Sequence, residues 1–311
     1  MPKKILTSPT DHILPLYING LEGRMLKANS SNKKKREILL IYGHHATLER
    51  WWGLVENLRT YGNVTMPDMP GFGGMDSFDK INKAIDIDGY ADYLASYIKL
   101  TYKRKKITIV GISFGFVVVT RMLQKYPDLE KKVELVVSLM GFTHKDDFVY
   151  SLRRRQTFLV LTRILGTKFI SFFVRHFVLR KFIISYLYKN MPNSKQKFIE
   201  ASDDEITNTL DYEIKAWRSN DIRTHWITCS QFFSLNNCES RINIPIKHVR
   251  AGSDSYFDPN IVKQHMQIAY KDFKEYIADS KNHTPSVLAD KKAASVMLPR
   301  GLRRILAQER K

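Results

Sequence analysis

The chain has 311 residues, 43% of them hydrophobic, with two cysteines and a formal net charge of +19. Such a length suits one large α/β domain carrying an insertion or two ordinary domains, and the apolar content excludes global disorder. Two cysteines, Cys229 and Cys238, are too few for a disulfide framework, and neither sits in a metal-ligand spacing such as CxxC. The start, Met1 to Pro9, carries Lys3 and Lys4 with no apolar run behind them, so it does not read as a secretory signal and a reducing cytoplasm is expected.

Residues 13–28 alternate apolar and polar around Asn19-Gly20 and Glu22-Gly23, which predicts a β-hairpin at a sheet edge. Glu37 to Tyr42 reads as a buried strand ending at Gly43, and Thr47 is placed to cap a helix running to about Leu58. A short strand over Asn63-Val64-Thr65-Met66 runs into the turn-rich segment Pro67 to Gly74. A helix from about Ile87 to Tyr102, a strand Lys106 to Ile112, a helix Phe114 to Lys125 and a strand Val133 to Met140 follow. Strands alternating with helices of this length predict an α/β fold with a doubly wound, mostly parallel sheet. The alternation stops at Gly141 and the pattern turns helical, aromatic and basic from Phe148 to Tyr188, then more acidic from Glu200 to Trp226. Strands resume at Ile244 to Val249 and Phe273 to Ile277, and the last segment, Pro285 to Gln308, is mainly helical with a break at Pro299-Gly301. The expected organisation is therefore a sheet core over 1–140 and 244–311, with a helical cap inserted over 141–243.

Gly111-Ile112-Ser113-Phe114-Gly115 lies between the β-branched strand and an apolar helix, which is the context a nucleophile elbow requires. A serine hydroxyl needs a neighbouring base oriented by a carboxylate, in the chain order Ser, Asp or Glu, His. His225 falls in the helical insertion, His248 inside a strand and His265 in the helical run Asn260 to Tyr270. His283 follows the last strand in a loop and is the expected base. The acid is expected after the preceding strand, in Gly252 to Asp258. Asp254 is favoured there over Asp258, which precedes Pro259 and can instead cap a helix. The expected oxyanion donors are the backbone N–H groups of Phe114, next to the nucleophile, and of His44, after the first buried strand. His44 and His45 have no acidic or Cys partner at ligand spacing and no HExxH pattern occurs, so no metal or other cofactor is expected.

Together these segments resemble the α/β-hydrolase superfamily, in its cap-bearing branch of serine esterases, lipases and C–C bond hydrolases. Tyr42-Gly43-His44 stands where such proteins have His-Gly-x, and Asp68 to Gly73 is similar to their Asp-x-Pro-Gly-x-Gly turn. Gly252-Ser253-Asp254 resembles the acid turn and Asn282-His283 the histidine loop. Tyr42 in place of His, and Met75 near a frequent Ser, are departures that bear on substrate fit. The resemblance implies hydrolysis of a carboxylic ester through an acyl-enzyme. C–C bond hydrolysis, amide hydrolysis or acyl transfer would use the same residues, and a non-catalytic binding protein would have no need of all three.

Between Val149 and Ile199 stand eleven Lys or Arg and no Asp or Glu, over half of the net charge in about a sixth of the chain. Phe, Ile, Leu and Val interleave with these cations, and no charge-free apolar run approaches a membrane span. Two readings stand side by side: a basic amphipathic surface for anionic membrane lipid, or apolar residues packed inward beneath solvated cations. Nucleic acid is not the expected partner, because no recognised module accompanies the charge.

Overall fold

A computed structural model describes residues 8–190, 202–279 and 290–308. β1 (Ile13–Ile18) and β2 (Leu21–Ala28) form the hairpin, turning at Asn19 and Gly20, both at positive φ. β3 (Glu37–Ile41), α1 (Trp52–Leu58), β4 (Asn63–Pro67), α2 (Ile87–Thr101), β5 (Ile107–Ile112), α3 (Phe114–Lys125) and β6 (Val133–Leu139) alternate as expected. The helical insertion holds α4 (Leu152–Leu165), α5 (Lys168–Phe173), α6 (Lys181–Asn190), α7 (Asp203–Ser219) and α8 (Ile222–Phe232). β7 (Ile246–Arg250), α9 (Pro259–Ala269) and β8 (Phe273–Ile277) return to the sheet, and α10 (Lys291–Ala294) and α11 (Arg300–Ala307) close the described chain.

The eight strands form one sheet in the order β1-β2-β4-β3-β5-β6-β7-β8, with antiparallel pairing at β1–β2 and β2–β4 and parallel pairing from β4 onward. Right-handed crossovers from β3 to β4 and from β4 to β5 run in opposite directions, which places α1 on one face and α2 with α3 on the other. Covered on both faces, β3 and β5 are buried along their whole length, and this is why Ile-Leu-Leu-Ile and Ile-Thr-Ile-Val carry no alternation. The chain reverses direction between β3 and β5. In open α/β sheets, ligands bind beyond the strand carboxyl ends at such a point.

Two local expectations differ. The segment after β3 opens with a turn of 3₁₀ helix at Leu48–Trp51, and Thr47 makes no side-chain cap; its hydroxyl lies 3.5 Å from that of Tyr212. The seventh strand begins at Ile246, because Pro245 has no N–H to enter the ladder and only its carbonyl bonds across, to the Val136 N–H at 3.1 Å.

The insertion has two layers. α7 and α8 sit over the strand ends: the Asp221 N–H donates to the Gly71 carbonyl at 2.8 Å, and the Gly73 N–H donates to Asn220 Oδ1 at 2.7 Å. α4 and α5 lie outside them against α8, and α6 lies against α7.

Candidate active site

Ser113 closes β5 and opens α3 with φ 48° and ψ −115°, a backbone region costly for any residue with a Cβ. The flanking glycines are steric requirements. A Cβ on Gly111 would stand 2.6 Å from the Cα of Phe116, and one on Gly115 would run into the Ile41 and Tyr42 carbonyl oxygens. The elbow thus presses β5 and α3 against the end of β3, and only glycine allows that approach.

Because β3 and β5 are paired neighbours, with Ile41 opposite Gly111, the loops that leave them stand side by side. A Cβ on Gly43 would lie 3.4 Å from that of Ser113. Phe114 is the first residue of α3, where an N–H has no partner within the helix and the helix dipole favours negative charge. The His44 ring is held from the insertion: its Nε2 lies 2.7 Å from Thr228 Oγ1 and 3.2 Å from the His225 carbonyl. Rings of Phe72, Phe114 and Phe232 stand edge-on or tilted around it.

Tyr42 takes a structural part. Its buried hydroxyl donates to Asp68 Oδ1 at 2.9 Å and accepts the Met69 N–H at 3.0 Å, while Arg24 Nε donates to Asp68 Oδ2 at 3.1 Å. This fixes the Asp68 to Gly73 turn beneath the strand ends.

Asp254 lies half-buried in the turn after β7, its Oδ1 accepting the Tyr256 N–H at 2.8 Å. It lines a small cavity of about 110 Å³ together with His248. Asp258 caps α9, its Oδ1 accepting the N–H groups of Asn260 and Ile261 at 2.8 and 3.2 Å. His283 lies outside the described residues. Among the other histidines, His248 is buried against Ser138 Oγ at 2.9 Å, and burial lowers its pKa to about 3. His265 pairs with the buried carboxylate of Asp147, which also accepts the Thr143 and His144 N–H groups and ties the entry of the insertion to α9.

Ser113 opens on a cavity of about 440 Å³ whose walls are Trp51, Phe142, Phe148, Tyr150, Phe158, Phe232, Phe233 and Phe257, with Gly43, His44, Cys229 and Arg50 among its other lining residues. The Arg50 guanidinium stacks on Trp51 and Tyr212 at 5.5 and 5.9 Å. Outside the wall, Arg154 covers Tyr150 and Phe158 at 4.4 and 5.3 Å. Sequence reasoning missed this lining because it comes from five separate stretches of chain; the one available signal was the density of Phe around 142–158 and 232–257.

His44, His225 and Cys229 offer one donor atom each within 4.8 Å, with Cys229 Sγ 3.8 Å from His44 Nε2 and 3.9 Å from His225 Nε2. Spacing in the sequence gave His44 no cysteine partner; folding supplies one 185 residues away. The donor set is of the kind that suits zinc. Burial holds it neutral, lowering His44 to about 4 and pushing the Cys229 thiol up to about 12. His44 Nε2 is at the same time within hydrogen-bonding distance of Thr228.

The family described as the alpha/beta hydrolase fold matches residues 37–283. No curated protein matches the sequence at a significant level. Among solved structures, an enol-lactonase from Burkholderia xenovorans LB400 superposes with a TM-score of 0.66 at 13% identity, covering 95% of this chain and 100% of that one. A thermophilic esterase from Thermogutta terrifontis gives 0.64 at 14%, covering 95% and 98%. An epoxide hydrolase from Bacillus megaterium gives 0.62 at 12%, covering 94% and 98%. At these identities the likeness is one of fold.

Proposed function

Since this chain belongs to the α/β-hydrolase family, we propose that it hydrolyses a carboxylic ester with an apolar acyl chain through an acyl-enzyme at Ser113. The observation that carries the reading is the strained, glycine-flanked backbone of Ser113 at the wall of an aromatic cavity. A strained nucleophile on a rigid strand end is already oriented for attack, and the cavity holds hydrocarbon while excluding water.

In this reading Ser113 Oγ adds to the ester carbonyl as its proton passes to His283. The oxyanion is stabilised by the N–H groups of Phe114 and His44. Collapse of the tetrahedral intermediate expels the alkoxide, which takes the proton back from His283. Water, deprotonated by the same imidazole, then releases the acid and restores Ser113. Asp254 orients His283 and stabilises its charged form. The same groups would serve C–C bond hydrolysis, amide hydrolysis or acyl transfer; the predominantly aromatic lining favours an ester with a hydrocarbon chain. The helical insertion acts as the cap of this site, since α4 and α8 supply Phe158, Thr162, Cys229 and Phe232 to the cavity.

The test is a fluorophosphonate probe on the intact protein, Ser113→Ala and His283→Ala, together with a panel of p-nitrophenyl esters. Labelling is expected only where Ser113 and His283 are both present. Each added methylene should raise kcat/KM by about fourfold until the cavity is full, from about 0.8 kcal/mol per buried CH₂. Labelling that survives Ser113→Ala contradicts the reading.

A further inference from the structure

The outer layer of the insertion is built inside out. In α4 and α5 the only buried side chains besides glycine are those of Thr162 and Ser171, both small and polar. Six large apolar residues of the same helices, Val160, Leu161, Ile164, Phe169, Phe172 and Phe173, point to solvent, while Phe158, Leu159, Leu165 and Ile170 are half-buried. α6 buries one apolar residue, Ile184, and leaves Phe182, Tyr186 and Leu187 exposed. Phe169 and Phe182 are 78% and 72% exposed, values usual for lysine and not for phenylalanine. Of the eighteen exposed large apolar side chains among the described residues, twelve fall between Val149 and Leu187. Apolar residues packed beneath solvated cations would give the opposite arrangement.

The charge on this surface has one sign. The described stretch Val149 to Asn190 carries nine Lys or Arg and no acid. Some of these cations serve the protein itself: Arg155 pairs with Asp146, and Arg175 donates to the Asn220 and Arg218 carbonyls. Arg153, Arg163, Lys168, Arg180 and Lys189 are exposed and have no ion pair to any described residue. Exposed apolar side chains on three successive helices, interspersed with unbalanced cations, are complementary to one kind of partner, a bilayer with an anionic headgroup layer over hydrocarbon. No single described helix is long and apolar enough to cross a membrane. α4 and the run Lys168–Val178 pass that test only as a pair, and they meet at a 76° bend. A bent pair of this kind suits insertion into one leaflet.

We propose that α4, α5 and α6 form a monotopic docking surface for anionic phospholipid bilayers, with Phe169, Phe172 and Phe182 entering the acyl boundary and Arg153, Arg163 and Lys168 at the headgroups. α4 is also a wall of the Ser113 cavity through Phe158 and Thr162, so the docked face and the cavity share one helix.

The test is flotation of the full-length protein with phosphatidylcholine vesicles, with and without roughly a third phosphatidylserine. Binding is expected to the anionic vesicles and to fall with added salt. The triple change Phe169→Ser, Phe172→Ser, Phe182→Ser should weaken it by about tenfold or more. Arg153→Gln, Arg163→Gln and Lys168→Gln should cost about fivefold per cation removed. Circular dichroism and turnover of a short soluble ester should match the unmodified protein in both variants. Ser113→Ala should bind vesicles undiminished, so loss of the hydrolase reading leaves this one standing and the reverse. Absence of vesicle binding, or binding indifferent to the three phenylalanines, overturns the proposal. So does light scattering that shows a dimer dispersed by the triple change without any vesicle binding, since the occupant would then be a second copy.

Discussion

The sheet and the outer layer of the insertion use the same residue types in opposite ways. In β3 and β5 the Ile, Leu and Val side chains are wholly buried, and the polar atoms beneath them are paired. In α4 to α6 only Thr162, Ser171 and Ile184 are buried, while most of the large apolar side chains, Phe169, Phe172 and Phe182 among them, face outward. The first arrangement is what water selects. The second packs on α7 and α8 and leaves its apolar face uncovered among the described residues. The difference teaches that the two parts answer to different surroundings, with the site at the seam between them.

That seam should respond most strongly to acid. His44 and His45 come from the sheet and His225 from the insertion. Burial lowers the first two to about 4 and about 3, and His225 well below its usual value. His45 Nε2 and His225 Nδ1 are buried with no hydrogen-bond partner among the described residues. The unfolded chain takes up these protons near pH 6.5 and the folded one does not, so stability is full above that pH and falls from about 6.5 down to about 3. Each such histidine should contribute a loss of up to about 2 kcal/mol by about pH 5. Urea titrations at neutral and acid pH check this, and His225→Asn should flatten the dependence. An unchanged midpoint would mean the imidazoles are not locked neutral.

A matched pair of truncations addresses the comparison itself. Leu39→Ala, in a fully buried strand, should cost about 2–5 kcal/mol, whereas Phe182→Ala should change stability in water by no more than about 0.5 kcal/mol. Equal losses in thermal unfolding would show that the outer layer is packed like the sheet. In the cavity, Phe158→Ala should lower kcat/KM for long-chain esters by about tenfold with short esters little affected, from the area withdrawn from hydrocarbon. The smallest expected effect is a gain: Ser113→Gly removes the strain at φ 48° and should stabilise the fold by about 1 kcal/mol, read as a raised Tm.

The sheet could be read from the sequence because strands covered on both faces are short apolar runs and the hairpin carries its own turn residues. Phe273–Ile277 and Ile107–Ile112 stand almost where the pattern put them. The elbow was equally readable, since Gly111 and Gly115 are local requirements of one turn. The outer face of the insertion was not, because Phe and Arg interleave there with no period that assigns a side. Contacts over long chain separations were also hidden, among them His44 beside Cys229 and Asp147 beside His265. Tyr42 looked like a departure affecting substrate fit, and its place under the turn became visible only with Asp68 and Arg24 around it.

Ser113 is the residue expected to carry a covalent acyl intermediate. The direct measurement is intact-protein mass after acid quench of a reaction with a p-nitrophenyl ester, followed by fragmentation of the modified peptide. An increase equal to one acyl group, mapped to Ser113 and missing from Ser113→Ala, is the expected result. Turnover of the ester with an adduct on any other residue, or turnover undiminished in Ser113→Ala, would contradict it.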